Sequence, residues 1–441
     1  MEVVKSPRVV DLVIHARYVV PVEPAGLLER HALVVDGGRI VALVPSAVVD
    51  AAYRARETVE LGTHVLMPGL VNTHAHSAMT LLRGVADDMP LKAWLEQHIW
   101  PREGRHVSPE FVRDGTLIAC AEMLAGGITC VNDMYFYPDA SARVYESTGM
   151  RAMIGLPVLD FPTAYAADAD GYLRAGLAAR DKHQHAPRLA FSLAPHAPYT
   201  VGDETFAKVL TFAQELDLPI QTHLQETRAE LDDAIASTGM SPLARLDRLG
   251  VTGPSFVAIH AVHPGPGDLE RLARQACHVA HCPASNMKLA SGVAPVVDYL
   301  AAGINVSIGT DGAASNNRID MFAEMRLASL LAKVSSGDAA ALPAAAVVRM
   351  ATLGGARAIG LDARIGSLEA GKEADAIAVD LSAPALTPCY DPVSHLVHAC
   401  GREHVTDVWI AGERLVADRV LLRIDAAAID ARAAVWRDRI A

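Results

Sequence analysis

A chain of 441 residues, 51% of them apolar, is long enough to bury a sizeable core and too hydrophobic to stay disordered. Its formal net charge of −12 excludes phosphate-backbone binding as the main activity, and no basic run with interleaved aromatics opposes that. There is no stretch of 18 apolar residues and no apolar leader within residues 1–10, so the sequence predicts a soluble, cytoplasmic protein with neither membrane nor nucleic acid as partner.

The chain opens with strand texture. Short apolar runs at 11–14, 32–35 and 40–43 surround a turn at Asp36-Gly37-Gly38, and such hairpins need a second layer over their apolar face. From Val65 onward, apolar runs alternate with helical patterns. The runs fall at 65–72, 128–133, 152–159, 189–193, 219–222, 256–260, 278–282 and 304–309. Helical stretches at 109–125, 203–215, 267–275 and 294–302 lie between them. In the first of these Ser108 is placed as the cap, Pro109 as the opening residue and Gly126-Gly127 as the exit. Eight buried strands alternating with helices predict an α/β fold, a (β/α)8 TIM-like barrel over 65–365, with a doubly wound open sheet as the alternative. Strand texture returns at 374–379, 405–410 and 414–416 around a turn at Ala411-Gly412. The simplest account is one small β-sandwich built from both chain ends, 1–64 and 366–441, flanking the barrel. The six cysteines form no C-x-x-C pair, and most sit in apolar segments, which predicts buried free thiols in a reducing compartment.

Catalytic groups of such barrels sit at the C-terminal ends of the strands. The first strand leads into His74-Ala75-His76, two imidazoles at i and i+2 on one face of a strand and hence half of a zinc site. With 18 histidines in the chain, roughly 0.7 such pairs arise by chance, so context must decide. His183-Gln184-His185 follows a polar run and precedes Pro187, which reads as a solvated loop. The fourth strand leads into His196, the fifth into His223 and Glu226, the sixth into His260 and the eighth into Asp311. Any one of these could be a satisfied core residue, but packing alone does not place such groups at five strand ends. His74, His76, His223 and Asp311 are assigned as ligands of one Zn2+, leaving a position for water. Fe2+ and Mn2+ also tolerate such a shell. Glu226 is assigned as a proton shuttle, and His260 and Asp311 as the groups that hold and deprotonate the water. A two-metal centre would need a bridging group such as a carboxylated lysine on the fourth strand, and 188–193 contains no Lys.

Four motifs carry a resemblance to a known family: Pro68-Gly69-Leu70-Val71-Asn72-Thr73-His74-Ala75-His76, Gln221-Thr222-His223-Leu224-Gln225-Glu226, His281-Cys282-Pro283-Ala284-Ser285-Asn286 and Gly309-Thr310-Asp311-Gly312. Together with the tail motif Gly366-Ser367-Leu368-Glu369-Ala370-Gly371-Lys372, they resemble the amidohydrolase superfamily in its chlorohydrolase/aminohydrolase branch, nearly end to end. The segments around Trp94, Trp100 and Glu103, and Leu193-Ala194-Pro195-His196-Ala197-Pro198, are similar to the 5-methylthioadenosine/S-adenosylhomocysteine deaminases. That resemblance implies that Glu103 accepts hydrogen bonds from ribose hydroxyls, that Trp94 packs near the nucleoside and that His196 contacts substrate. It also implies arginines near the substrate tail, for which Arg151 and Arg174 are the candidates, and assembly as a homo-oligomer. Read without it, Trp94 and Trp100 are helix core residues and Glu103 a solvated helix-end carboxylate. His281 is read as orienting a neighbour, and Asn286, Met287 and Lys288 as structural or weakly substrate-facing.

The implied reaction is hydrolytic deamination at adenine C6 of 5-methylthioadenosine, S-adenosylhomocysteine or adenosine, giving the inosine analogue and ammonia. Deamination of guanine or another heterocycle, or dechlorination of an s-triazine, would use the same metal shell. Glu103 and Trp94 favour a ribosylated substrate, since a bare base offers no diol. A non-catalytic scaffold that keeps the fold for partner binding is the alternative of another class, and candidates for every ligand and proton carrier stand against it.

Overall fold

The computed structural model describes residues 7–441; residues 1–6, part of the N-terminal segment inspected for a leader, lie outside the described residues. Eight parallel strands follow one another in chain order around a barrel: Leu70–Ala75, Ile128–Met134, Arg151–Val158, Leu189–Pro195, Ile220–Leu224, Phe256–His260, His278–His281 and Asn305–Ile308. Of all their residues only Ala190 and Asn305 are not buried. Parallel strands covered on both faces read as unbroken apolar runs, which is why hydropathy located them. Between the eighth strand and the first, side chains and one exit amide close the barrel. Thr73 Oγ1 donates to Ile308 O at 2.9 Å, Asn72 Nδ2 to Thr310 Oγ1 at 2.8 Å, and Asp311 N to His74 O at 2.9 Å.

The helix Pro109–Ala125 follows its capping signals: Ser108 Oγ accepts from Phe111 N at 3.2 Å, Pro109 occupies the first turn and Gly126 ends it. The stretch expected at 294–302 is shorter, Val296–Ala301, because Pro295 stands at the N-cap and the residues before it are not helical.

The second sheet is mixed and draws on both chain ends. Its strand order is Val420–Leu421, Glu413–Ala417, Val405–Ile410, Ala376–Asp380, Tyr53–Pro68, Arg8–Val19, Leu28–Asp36 and Arg39–Pro45. Leu12, Ile14, Leu33, Val35, Leu61, Ala376 and Trp409 form its own core. The run expected as one barrel strand at 65–72 is in fact divided. Residues 65–68 end the long strand of this sheet and pair antiparallel with Ala376–Val379, and the barrel strand begins only at Leu70. Gly69 makes the joint, where a Cβ would lie 2.0 Å from Thr129 Oγ1. Both halves are buried on both faces, so hydropathy alone could not separate them. The strand-only reading of the C-terminal part also omitted two helices, Pro392–His398 and Ala426–Ile440. The second returns to the barrel, where Trp436 Nε1 donates to Asp114 Oδ2 at 3.0 Å. No helix among the described residues is long and apolar enough to cross a membrane. All six cysteines are free, and five are buried.

Candidate active site and metal centre

Three imidazoles and one carboxylate converge where the first, fifth and eighth strands end. His223 Nε2 lies 3.2 Å from His74 Nε2 and 3.3 Å from His76 Nε2. Asp311 Oδ1 lies 3.3 Å from the Nε2 atoms of both His74 and His76. Tetrahedral donors at zinc-like distances of 2.0–2.1 Å stand about 3.3 Å from one another, so these separations fit a single ion. The remote ring nitrogens support the same reading. His76 Nδ1 donates to Met134 O at 2.6 Å and His223 Nδ1 to His196 O at 2.7 Å, which leaves both Nε2 lone pairs directed inward. Two such lone pairs 3.3 Å apart repel unless a cation stands between them. Burial alone would raise Asp311, but bonds to His74 and His76 hold its carboxyl well below the usual range. Burial likewise opposes charge on His76, yet Asp311 outweighs it and raises His76 to about 9. Burial lowers His74 to about 4 and His223 well below the usual imidazole range, which leaves both rings neutral and able to ligate. Two overlapping groupings could hold a metal ion, His74 with His76 and Asp311, and His74 with His223 and His260.

Asp311 is held from several sides: Oδ2 accepts from Ser285 Oγ at 2.6 Å and Ser315 Oγ at 2.9 Å, and Oδ1 from Gly312 N at 2.7 Å. His260 Nδ1 faces Asn286 Oδ1 at 2.9 Å, and its Nε2 lies 3.7 Å from Glu226 Oε2. Glu226 Oε1 accepts from Ser291 Oγ at 3.2 Å, and burial pushes its carboxyl above the ordinary range. Gln225, His260 and Asp311 all carry left-handed backbone, with φ of 51°, 70° and 60°. Each such residue costs about 1–3 kcal/mol, a strain typical of functional strand ends.

A cavity of about 280 Å3 opens above this cluster. His76, His223, Glu226, His260 and Asp311 line its floor, Trp94, Glu103 and His196 its walls, and His74 lies fully buried beneath. Glu103 Oε1 accepts from Tyr135 Oη at 2.7 Å, and burial raises its carboxyl. Trp94 both lines the cavity and belongs to a core cluster, its Nε1 donating to Ala86 O at 3.1 Å. Burial, with His76 and His74 nearby, lowers His196 to about 3, so the ring is neutral.

Three expectations are corrected. Arg151 opens the third barrel strand, at the end away from the cavity, where Nε donates to Asp375 Oδ2 at 2.8 Å and Nη2 to Glu373 Oε2 at 2.6 Å. It bolts the barrel to the small sheet and cannot reach a substrate tail. Arg174 is exposed on the helix Ala169–His183, outside the cavity lining. His183 is not in a solvated loop: it ends that helix, buried, with Nδ1 2.9 Å from Glu146 Oε2 and Nε2 2.8 Å from Asp139 Oδ1. His185 is exposed. His281 is buried at the end of the seventh strand and absent from the cavity lining. Lys288 is tied to Asp87 at 2.6 Å and Asn317 Oδ1 at 2.7 Å.

Sequence reasoning missed Tyr135, Ser285, Ser291 and Ser315, whose hydroxyls orient the carboxylates and carry no spacing signal. It also missed Glu230, whose carboxylate accepts from Gln225 N and Glu226 N, both at 2.9 Å. That residue was legible, because Thr227-x-x-Glu230 is a capping-box pattern.

A (β/α)8 barrel with nitrogen and oxygen donors meeting at the C-terminal mouth is the framework of a metal-dependent hydrolase. The profile of the amidohydrolase family matches residues 65–415, and the chain belongs to that family. It is 45% identical over 431 residues to the 5-methylthioadenosine/S-adenosylhomocysteine deaminase of Saccharophagus degradans, an alignment covering 98% of this chain and 97% of that protein. The structure matches an adenosine deaminase from Xanthomonas campestris with bound zinc at a TM-score of 0.97 and 49% identity, covering 98% of this chain and 99% of that one. Atrazine chlorohydrolase from Arthrobacter aurescens, complexed with zinc, shares the fold at a TM-score of 0.89 and 24% identity, covering 96% and 99% of the two chains.

Proposed function

We propose that this protein is a zinc-dependent aminohydrolase that converts adenine nucleosides, the class of 5-methylthioadenosine, S-adenosylhomocysteine and adenosine, to their inosine analogues with release of ammonia. The observation that carries the reading is the presence of two further carboxylates, buried Glu226 and half-buried Glu103, in one cavity with His76, His223 and Asp311. In this reading Glu226 serves the base, and Glu103 the ribose diol that a bare base or a triazine lacks. The names of the similar deaminases point the same way.

His74, His76, His223 and Asp311 would hold the ion, which when bound would supply Lewis-acid activation of water. Glu226, its carboxyl raised by burial, keeps a proton and passes it to the ring nitrogen beside C6. His260, with Nδ1 committed to Asn286, turns Nε2 into the site, where it takes up the proton lost by the water. Attack forms the C6–O bond; His260 returns its proton to the amine, the C6–N bond breaks to expel ammonia, and the remaining hydroxyl proton passes to the Glu226 carboxylate as the C6 carbonyl forms. Glu103, held by Tyr135, accepts from the ribose hydroxyls and fixes the nucleoside in place. Free cysteines throughout suit a reducing compartment, and the proposal places the enzyme in the cytoplasm.

The test is ammonia release and the change in adenine-band absorbance with adenosine, 5-methylthioadenosine and guanine side by side, together with metal analysis of the purified protein. Turnover of the nucleosides but not guanine, with about one zinc per chain, is expected. Silence on every nucleoside by a zinc-loaded protein would overturn the substrate assignment.

A further inference from the structure

We infer that the cavity selects adenine nucleosides whose 5′ substituent is apolar over those whose substituent ends in a carboxylate; this rests on the nucleoside reading above. Among the described residues, no lysine or arginine lines the cavity, whereas Glu103, Glu226 and Asp311 all do. A carboxylate entering at the rim meets no lysine or arginine, and an unpaired carboxylate taken out of water is strongly disfavoured.

The cations nearby in sequence are committed elsewhere. Arg102, next to Glu103, turns away and donates to His98 O at 3.1 Å, and Lys92 is exposed on the same segment outside the lining. Arg151 is locked beneath the barrel, and Arg174 is outside the lining.

Beyond Glu103 the cavity is instead aromatic and aliphatic. Trp100 lies three residues before Glu103 on the helix Trp100–His106, and so on the same side. Its ring centroid is 6.3 Å from that of Phe161 across the mouth, and both rings keep more than a third of their surface exposed, 37% and 38%. Leu159 and Tyr165 continue this wall. With the base over the metal donors and the ribose at Glu103, the 5′ end is left to this rim. A thioether sulfur and short alkyl group gain burial and sulfur–aromatic contact there. An amino-acid zwitterion gains neither and loses hydration.

The experiment compares kcat/KM of the metal-loaded enzyme for adenosine, 5′-methylthioadenosine, 5′-butylthioadenosine and S-adenosylhomocysteine. The butyl compound matches the length of the homocysteine tail without its charges, so it separates charge from size. The two apolar thioethers are expected within about tenfold of each other, and S-adenosylhomocysteine at least about tenfold below the butyl compound. Phe161→Arg, at an exposed rim position, is expected to narrow the gap between the last two at least about tenfold, with folding checked by its melting temperature. S-adenosylhomocysteine used as well as the butyl compound overturns the inference while leaving the deaminase reading intact. An unchanged ratio in F161R overturns the assignment of the 5′ end to this rim. Failure of all four, adenosine included, removes the deaminase reading and this inference with it.

Discussion

Replacing Glu103 with Gln isolates the ribose interaction. The variant keeps the shape and an oxygen for Tyr135 Oη, which now donates at 2.7 Å, but loses the charge toward which two ribose hydroxyls would donate. Hydrogen bonds to a charged group contribute about 1.5–3 kcal/mol each, and a neutral amide retains part of that. A net loss of about 1.5–3 kcal/mol for the pair corresponds to a roughly 10- to 100-fold fall in kcat/KM for adenosine. The assay is steady-state deamination of adenosine and 2′,3′-dideoxyadenosine by wild type and E103Q. The dideoxy compound, which has no diol, is expected to be a poor substrate of both enzymes and nearly indifferent to the substitution. Equal losses on the two substrates would refute the reasoning, because Glu103 would then act through the structure of the wall. Burial raises the Glu103 carboxyl, so wild-type kcat/KM for adenosine should fall as pH drops through that raised value and the diol loses its anionic acceptor. E103Q should lack this limb.

Glu226→Gln keeps the metal and removes the proton carrier; kcat should fall by about 10²–10⁴ with metal content unchanged. Because the raised Glu226 carboxyl acts in its protonated form, the wild-type rate should decline as pH climbs through that value, and a flat alkaline profile would count against the role. Arg151→Met leaves Asp375 buried without its cation and Glu373 with Arg364 alone, and unfolding should become easier by about 3–5 kcal/mol while kcat/KM of the folded enzyme is unchanged. Burial pushes Glu373 up, but Arg364 and Arg151 outweigh it and hold the carboxyl below its ordinary value. The Glu373 share of that difference is therefore full above the ordinary value of 4.5 and fades as pH falls through the lowered one, which denaturant melts from neutral to acid pH would show. Chelation should abolish activity and lower the melting temperature, both restored by zinc; His223→Ala should lose metal without losing the fold, as read by metal analysis and circular dichroism.

The residue sequence by itself determined the element types of the barrel and the polar groups that end its strands. Buried parallel strands are unbroken apolar runs, and a chemistry-bearing residue just past such a run must emerge at one mouth, so His74, His76, His223, His260 and Asp311 were legible as a set. Local rules also set the capping of Pro109–Ala125 and the turn at Ala411-Gly412. What the runs could not reveal was where one sheet hands over to the other, since both sides of Gly69 are buried alike. Tertiary structure alone decided which histidines meet. His74, His76 and His223 come within 3.3 Å of shared neighbours, whereas His183, from a pair of the same i, i+2 spacing, is held by Asp139 and Glu146. It also sent Arg151 to the closed end of the barrel, because strand direction, invisible in composition, separates the first residue of a strand from the last. The hydroxyls of Tyr135, Ser285, Ser291 and Ser315 became partners of carboxylates for the same reason. Contacts between residues distant in sequence depend on register and strand order, and these are settled only when the whole core packs.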